Sequence, residues 1–290
     1  MSRIVSVSRR TDVPAWYGRW FLERVKRGKA CYGAPFSSRI HEVSLLPEDV
    51  TAFVFWTRNV LPFLPAVDRL ERMGYPFYFQ YTYTGYGAPW EPKGPGEKGL
   101  EGLLRLAERI GPDRVVWRYD PILLAPEEDG DAHRKRFEGI ARRLRGRIGA
   151  VTVSFLDRYR KTERRLRAAG LGVRDPDREE GRELLADLAG IAGERGIALD
   201  VCCEEDLRPP EIPAAACVDP DRIRRLVGDP EMRLPRRPTR PGCRCAESRD
   251  IGAYDTCPFG CVYCYAVSSP ERAERSVRDH RPEEDRLRPA

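Results

Sequence analysis

The 290-residue sequence predicts an α/β fold, a partial (β/α)6 barrel of the TIM type followed by a cysteine-rich extension. Three observations carry this. Six short β-rich apolar runs recur, each followed by a polar loop and a helical pattern, as parallel strands joined by crossover helices do. The runs are apolar on both faces, as strands covered on two sides are. Their C-terminal ends are dense in polar residues, and a barrel gathers such ends on one rim, where sites form.

The first run, 3–8 (RIVSVS), leads through SRRTDVPA to a helix around WYGRWFLERVKRG. The second, 51–56 (TAFVFW), passes through TRNV to a helix around PFLPAVDRLERM. The third, 77–84 (FYFQYTYT), is followed by a long Gly/Pro loop and then EKGLEGLLRLAERIG. The fourth, 114–120 (RVVWRYD), precedes PILLAPEEDG and a helix through DAHRKRFEGIARRLRGRIG. The fifth, 150–156 (AVTVSFL), precedes two helices, DRYRKTERRLRAAG and GRELLADLAGIAGERG. The sixth, 197–203 (IALDVCC), ends in EEDLRPP. An open doubly wound sheet fits the same pattern, but no strand is followed by a glycine-rich phosphate loop, which disfavours a nucleotide-binding variant of it.

Polar residues close each run: Arg9, Arg10, Thr11 and Asp12; Thr57, Arg58 and Asn59; Gln80, Thr82 and Thr84; Arg118, Tyr119 and Asp120; Ser154 and Asp157; Glu204, Glu205 and Asp206. Arg118 and Asp120 interrupt a strand that is otherwise apolar. An unpaired buried charge is costly, so they are expected to pair with each other, a neighbour or a ligand. The barrel is expected to span residues 1–206 and the extension 207–290. The extension is rich in Pro and Gly and holds one short helix, DPDRIRRLVG, capped by Asp219. Its charged last stretch, from SSPERAERSV onward, is expected to be partly disordered or to drape over the surface.

Hydrophobic residues at 41% supply a sizeable core. A net charge of +6, dispersed and mostly arginine, does not support a nucleic-acid partner by itself. The N-terminus lacks the apolar run and cleavage site of a signal peptide, and no stretch reaches the ~18 apolar residues of a membrane helix. A cytoplasmic protein with reduced thiols is expected. Its nine cysteines therefore point to metal binding or catalysis rather than disulfides.

Eight of the nine lie beyond residue 200. Cys257, Cys261 and Cys264 form a C-x3-C-x2-C loop. Structural zinc takes four ligands, usually as C-x2–4-C pairs; a cubane iron–sulfur cluster can take three thiolates and leave one iron open. Of the adjacent Cys202 and Cys203, one is expected to face away because neighbours on a strand point to opposite sides. Cys203, at the strand end, is the better placed. With Cys217, Cys243 and Cys245 it makes four thiols, enough for zinc or a second cubane. The one-residue spacing of Cys243 and Cys245 tilts this toward a second 4Fe-4S cluster. Cys31 reads as a small buried hydrophobe, and His41, His133 and His280 as surface residues.

The loop CPFGCVYC, with Tyr263 before its third cysteine and Tyr265 after it, resembles the cluster loop of radical S-adenosylmethionine enzymes. Here it follows the sixth strand rather than the first. With SVSRRTDVPAWY, VFWTRNV, WRYDPILL and ESRDIGAYDTCPFGCVYCYA, the chain resembles the domain of unknown function 1848 family, noted for such a C-terminal cysteine cluster. The resemblance spans nearly the whole chain. It implies a 4Fe-4S cluster on Cys257, Cys261 and Cys264, S-adenosylmethionine at the open iron, its cleavage to a 5′-deoxyadenosyl radical, and a reductant such as flavodoxin or ferredoxin. Backbone near Tyr263 would flank the adenine. No GGE motif occurs, so a polar strand end such as WTRN (Thr57, Arg58, Asn59) or RYD (Arg118, Tyr119, Asp120) would have to supply the remaining cofactor contacts, and Thr57, Arg58 and Asn59 are the cofactor-binding candidates. Arg10, Asp12, Arg118 and Asp120 are the catalytic candidates, and Arg9 a further contact. The alternatives are a zinc or nucleic-acid-binding metalloprotein and an iron–sulfur enzyme that does not use S-adenosylmethionine.

Overall fold

The computed structural model describes residues 3–33 and 39–288. In chain order its strands are β1 (Arg3–Val7), β2 (Lys29–Gly33), β3 (Ile40–Ser44), β4 (Val50–Thr57), β5 (Phe77–Thr82), β6 (Val115–Ile122), β7 (Ala150–Phe155), β8 (Ala198–Val201) and β9 (Arg249–Asp250). The α-helices are α1 (Val13–Trp16), α2 (Gly18–Lys26), α3 (Leu64–Arg72), α4 (Glu97–Ile110), α5 (Gly130–Leu144), α6 (Arg160–Ala168), α7 (Arg178–Gly193), α8 (Pro220–Val227) and α9 (Pro270–Arg278).

Seven strands make one parallel sheet in the order β8-β7-β6-β5-β4-β1-β9. Among the described residues its edge strands, β8 and β9, do not pair with each other, so the sheet is not a closed barrel. The six apolar runs are the six strands β1, β4, β5, β6, β7 and β8. The seventh, β9, was not expected: two residues are too few to show a period. It lies parallel to β1, Val5 against Arg249 and Ser6 against Asp250. The antiparallel hairpin of β2 and β3 was also unexpected.

Because strands adjacent in sequence are adjacent in space and the crossovers share one hand, the crossover helices α2, α3, α4, α5 and α7 collect on one face. Phe53, Phe55, Phe77, Phe79, Trp117 and Val153 point there and pack with Leu103, Leu106, Phe137 and Leu188. Phe55 stacks on Phe79 with centroids 4.7 Å apart. Burial of each such ring contributes roughly 2–3 kcal/mol. The alternate residues face the other side. There Ile4, Ala52, Val54 and Tyr78 meet Val218, Ile223, Cys245 and Ala246, so the extension covers the inner face.

The charged C-terminal stretch is tied down through residue 288 rather than loose. The fully buried Arg24 pairs with Asp285 and donates to the Glu283 carbonyl (2.9 Å), and Trp20 Nε1 donates to the Glu284 carbonyl (2.8 Å). Of the two expectations, disorder and draping over the surface, the structure shows the second, and the backbone carbonyls that accept from Trp20 and Arg24 are what composition does not encode.

His133 corrects another expectation. It is fully buried, with Nδ1 2.8 Å from the Tyr119 hydroxyl and Nε2 2.7 Å from the Leu123 carbonyl. Nε2–H must donate to the carbonyl, so Nδ1 accepts from the tyrosine and the ring is neutral. Burial lowers its pKa to about 4. A pKa depressed in the fold stabilises above about 6.5, and that stability is lost as pH falls toward 4. At pH 5 the loss is about 2 kcal/mol by this linkage. Urea denaturation at pH 7.5 and pH 5 should show it. His133→Leu should be less stable at pH 7.5 but lose that part of the pH slope; an unchanged slope refutes the assignment. His41 is half-buried and stacks on Tyr32, and His280 is half-buried beside Tyr17, so neither is a free surface residue. Cys31 is half-buried at the hairpin rather than in the core.

Candidate metal centre

The three-thiol loop closes on itself before it meets the rest of the chain. Asp255 N–H donates to the Ala266 carbonyl (3.0 Å), and the Asp255 carboxylate accepts from the backbone N–H and the hydroxyl of Ser268. Despite partial burial, these donors hold Asp255 below the usual carboxylate value. Gly260 turns the chain at φ 72°, a conformation that costs other residues about 1 kcal/mol or more. Arg165 of α6 then staples the loop, donating to the carbonyls of Cys261 (2.6 Å), Val262 (2.7 Å) and Val267.

Cys257, Cys261 and Cys264 line one cavity of about 110 Å³ with Phe259, Val262 and Val267. Cys264 Sγ accepts from the Ala266 N–H at 3.3 Å. Burial pushes Cys257 up and Cys261 up to about 12, while Arg58 opposes the rise at Cys261. Three soft donors on one pre-formed cavity are the donor set that three corners of a cubane require.

Under the loop lies a buried group that the strand ends alone do not reveal. Arg58 Nη1 bonds Glu91 Oε2 (2.8 Å) and Arg58 Nη2 donates to the Tyr263 hydroxyl (2.7 Å). The Tyr263 hydroxyl donates to Glu91 Oε1, which also accepts from Thr84 Oγ1 (2.7 Å). Burial works against the Arg58 charge, but Glu91 outweighs it and keeps Arg58 protonated. The backbone of Arg58 donates to Asp12 Oδ2 (2.7 Å), while Asp12 Oδ1 caps α1 by accepting from Ala15 N–H (3.0 Å). Burial pushes Asp12 up to about 6 against those donors. Thr57 and Asn59 accept from the N–H groups of Asn59 and Leu61 and shape the turn.

The inner face carries a polar row, Thr82–Arg118–Thr152–Asp200, across four strands. Arg118 and Asp120 pair, and Asp120 also accepts from Ser154. Arg118 Nη1 donates to Cys217 Sγ at 2.9 Å. Arg9 lies over Trp56 at 4.9 Å, and its backbone carbonyl accepts from the Tyr265 hydroxyl (2.6 Å). Arg9 Nη2 and Asp200 Oδ1 are buried without a hydrogen-bond partner. Arg10 turns away from this row to Asp250 (3.2 Å). The site candidates thus divide into three places: Arg58, Tyr263 and Asp12 under the loop, Arg118 and Asp120 with Cys217 on the inner face, and Arg10 at β9.

Cys203, Cys217, Cys243 and Cys245 come together beside that row, and Cys202 joins them instead of facing away. Cys202 Sγ stands 3.6 Å from Cys203 Sγ and 3.8 Å from Cys217 Sγ. Cys217 meets Cys245, Cys245 meets Cys243, and Cys243 meets Cys203, which closes a ring. The alternation rule fails because Cys203 has left the strand at φ 65°. Hydrogen bonds from Cys202 and Cys245 hold the Cys217 thiol well below its ordinary value, with Arg118 and Arg9 adding positive charge. Among the described residues, no three or more His, Cys, Asp or Glu side chains already stand as a group for a single metal ion.

Sequence reading missed Glu91, Arg165, Asp250 and Asp255. Glu91 did carry a signal: it is an acid inside an aromatic Gly/Pro loop, YGAPWEPKG. The other three act through long-range contacts with no local pattern.

Taken together, these features define a parallel α/β protein whose C-terminal segment lays two groups of buried and half-buried thiols over its strand ends and inner face. A family model described as "Domain of unknown function (DUF1848)" matches residues 4–266, and the chain belongs to that family. No curated protein and no solved structure matches it. Among the described residues, no helix is long and apolar enough to cross a membrane.

Proposed function

We propose that this protein is an iron–sulfur enzyme of the radical S-adenosylmethionine type, built on a partial (β/α)6 barrel with its cluster loop after the last barrel strand. The observation that carries this reading is the self-closed loop with three thiols on one cavity. Cys257, Cys261 and Cys264 would hold a 4Fe-4S cluster as thiolates. With S-adenosylmethionine bound and one electron provided by an external reductant such as flavodoxin or ferredoxin, the group would supply hydrogen-abstracting radical chemistry at an unreactive carbon, with methionine as the other product.

The chain's own residues have separable tasks. Arg165 and Asp255 fix the loop. Arg58, Glu91 and Tyr263 position it against β4 and the loop after β5. Thr57, Asn59 and Asp12 shape the backbone beside it, because their side chains are engaged by N–H groups. Arg118 and Asp120 present an ordered ion pair to the inner face. Arg9 Nη2 and Asp200 Oδ1 are the polar atoms that a bound ligand would satisfy, since buried polar groups in native proteins are otherwise paired.

Protein reconstituted anaerobically with iron and sulfide, then reduced with dithionite or a flavodoxin system, should release 5′-deoxyadenosine from S-adenosylmethionine. Cys261→Ala should abolish release. A wild type that forms the cluster but releases none, and whose EPR signal does not respond to S-adenosylmethionine, would overturn the reading in favour of an iron–sulfur protein with other chemistry.

A further inference from the structure

The five-sulfur ring takes no part in the reading above and stands apart from the three-thiol loop. Its members come from three segments. Cys202 and Cys203 follow β8. Cys217 lies where the chain recrosses the inner face, its carbonyl accepting from the Tyr78 hydroxyl (2.7 Å) and Gln80 Nε2 (2.9 Å). Cys243 and Cys245 lie on the return pass, where Ala246 N–H donates to the Val218 carbonyl (2.9 Å). Between Cys203 and Cys245 only α8 is regular, so little secondary structure holds these passes together.

All five thiols are free of disulfides. Filling space would not require sulfur at five neighbouring positions; aliphatic side chains serve that purpose. Thiols gathered at this density are a soft-metal ligand set. The two adjacent separations, 3.6 and 3.8 Å, are close to the edge of a tetrahedral thiolate site, about 3.8 Å when zinc–sulfur bonds are about 2.3 Å. The corners of a cubane hold their thiolates farther apart, so the spacing points to one ion of zinc size.

The surroundings suit thiolates. Cys217 accepts from Arg118, Cys245 from the Val218 N–H (3.3 Å), Cys243 from the Thr239 hydroxyl (3.6 Å) and Cys202 from Arg240 (3.8 Å). Such outer-shell donors orient and tune metal ligands. Four thiolates on a divalent ion leave a net charge of −2, and the Arg118, Arg240 and Arg9 guanidiniums lie beside it. Among the described residues the sulfurs do not already stand as a group around a single ion, so binding would turn them inward.

We infer that Cys202, Cys203, Cys217, Cys243 and Cys245 form a second metal–thiolate centre, four of them ligating one ion, that fastens the extension to the inner face of the sheet. The inference does not rest on S-adenosylmethionine chemistry. Its test starts from the full chain with Cys257, Cys261 and Cys264 all replaced by Ala, which removes the first loop. Purified anaerobically, this variant should retain about one zinc per chain. After metal removal, Co²⁺ alone should restore intense thiolate-to-cobalt absorption. Iodoacetamide should modify the five cysteines at least tenfold faster in the stripped protein than in the loaded one. About four irons in place of zinc would overturn the single-ion centre and put a cubane on these thiolates instead. A folded triple variant with neither zinc nor iron, no cobalt–thiolate band and equal alkylation rates would overturn the proposal. Cys243→Ser with Cys245→Ser in the same background should abolish the metal. If that variant does not fold, the cobalt and alkylation measurements on the triple variant decide alone.

Discussion

Glu91→Ala is expected to cost about 3–5 kcal/mol of unfolding free energy, the range for stripping one partner from a buried ion pair. Glu91 is 6% exposed and accepts from Arg58, Tyr263 and Thr84 together. Its loss leaves a buried guanidinium uncompensated and two hydroxyls without their acceptor. Glu91→Gln keeps the shape but not the charge and should cost less. Arg58→Met combined with Glu91→Leu should recover part of the loss, because neither charge is then stranded. The structural readout is local: iodoacetamide should reach Cys257, Cys261 and Cys264 faster in Glu91→Ala than in wild type. A variant within about 1 kcal/mol of wild type by urea denaturation, with unchanged alkylation, would show that the Arg58–Glu91 pair does not anchor the loop.

Asp250→Ala should cause a loss of similar size, about 3 kcal/mol or more. This one carboxylate accepts from the Ser8 hydroxyl (2.6 Å), Arg9 N–H (2.9 Å), Arg10 Nε (3.3 Å) and Gly252 N–H (2.9 Å). It is the link between β1 and β9, and a side chain on Gly252 would collide with Ser8, its added carbon 2.0 Å from Oγ. Asp250→Asn retains most of the acceptor geometry, so its smaller loss would measure the charge. Native-state hydrogen exchange should show the Ile251 amide, which donates to the Ser6 carbonyl (3.1 Å), opening before the amides of β4 and β5. Protection at Ile251 that survives Asp250→Ala would show that strand pairing alone holds this edge.

Six of the seven sheet strands were legible because a buried parallel strand writes its whole length in apolar residues. Arg118 and Asp120 were legible for the opposite reason, as charges where burial forbids lone ones. What escaped depends on pairing across the chain. A two-residue strand such as β9 has no period to read. Cys202 was misassigned because strand alternation ends where Cys203 enters positive φ. His133 looked like a surface residue until Tyr119 and Leu123 supplied its two bonds. The three-thiol loop could be read as a spacing, but Arg165, Asp255 and Glu91, which make it a shaped cavity, lie outside the motif or act only through its fold.

The order in which the thiols join the sheet sets an order of assembly. The six long strands are complete once Val201 has been made, whereas every cysteine of both groups is made after that point. On a growing chain Ile4, Val54 and Tyr78 are therefore made before Val218, Ile223 and Ala246, which cover them in the finished fold. N-terminal structure forms first on a growing chain. Both groups of thiols thus come into place only with the extension, which follows every long strand of the sheet in the chain.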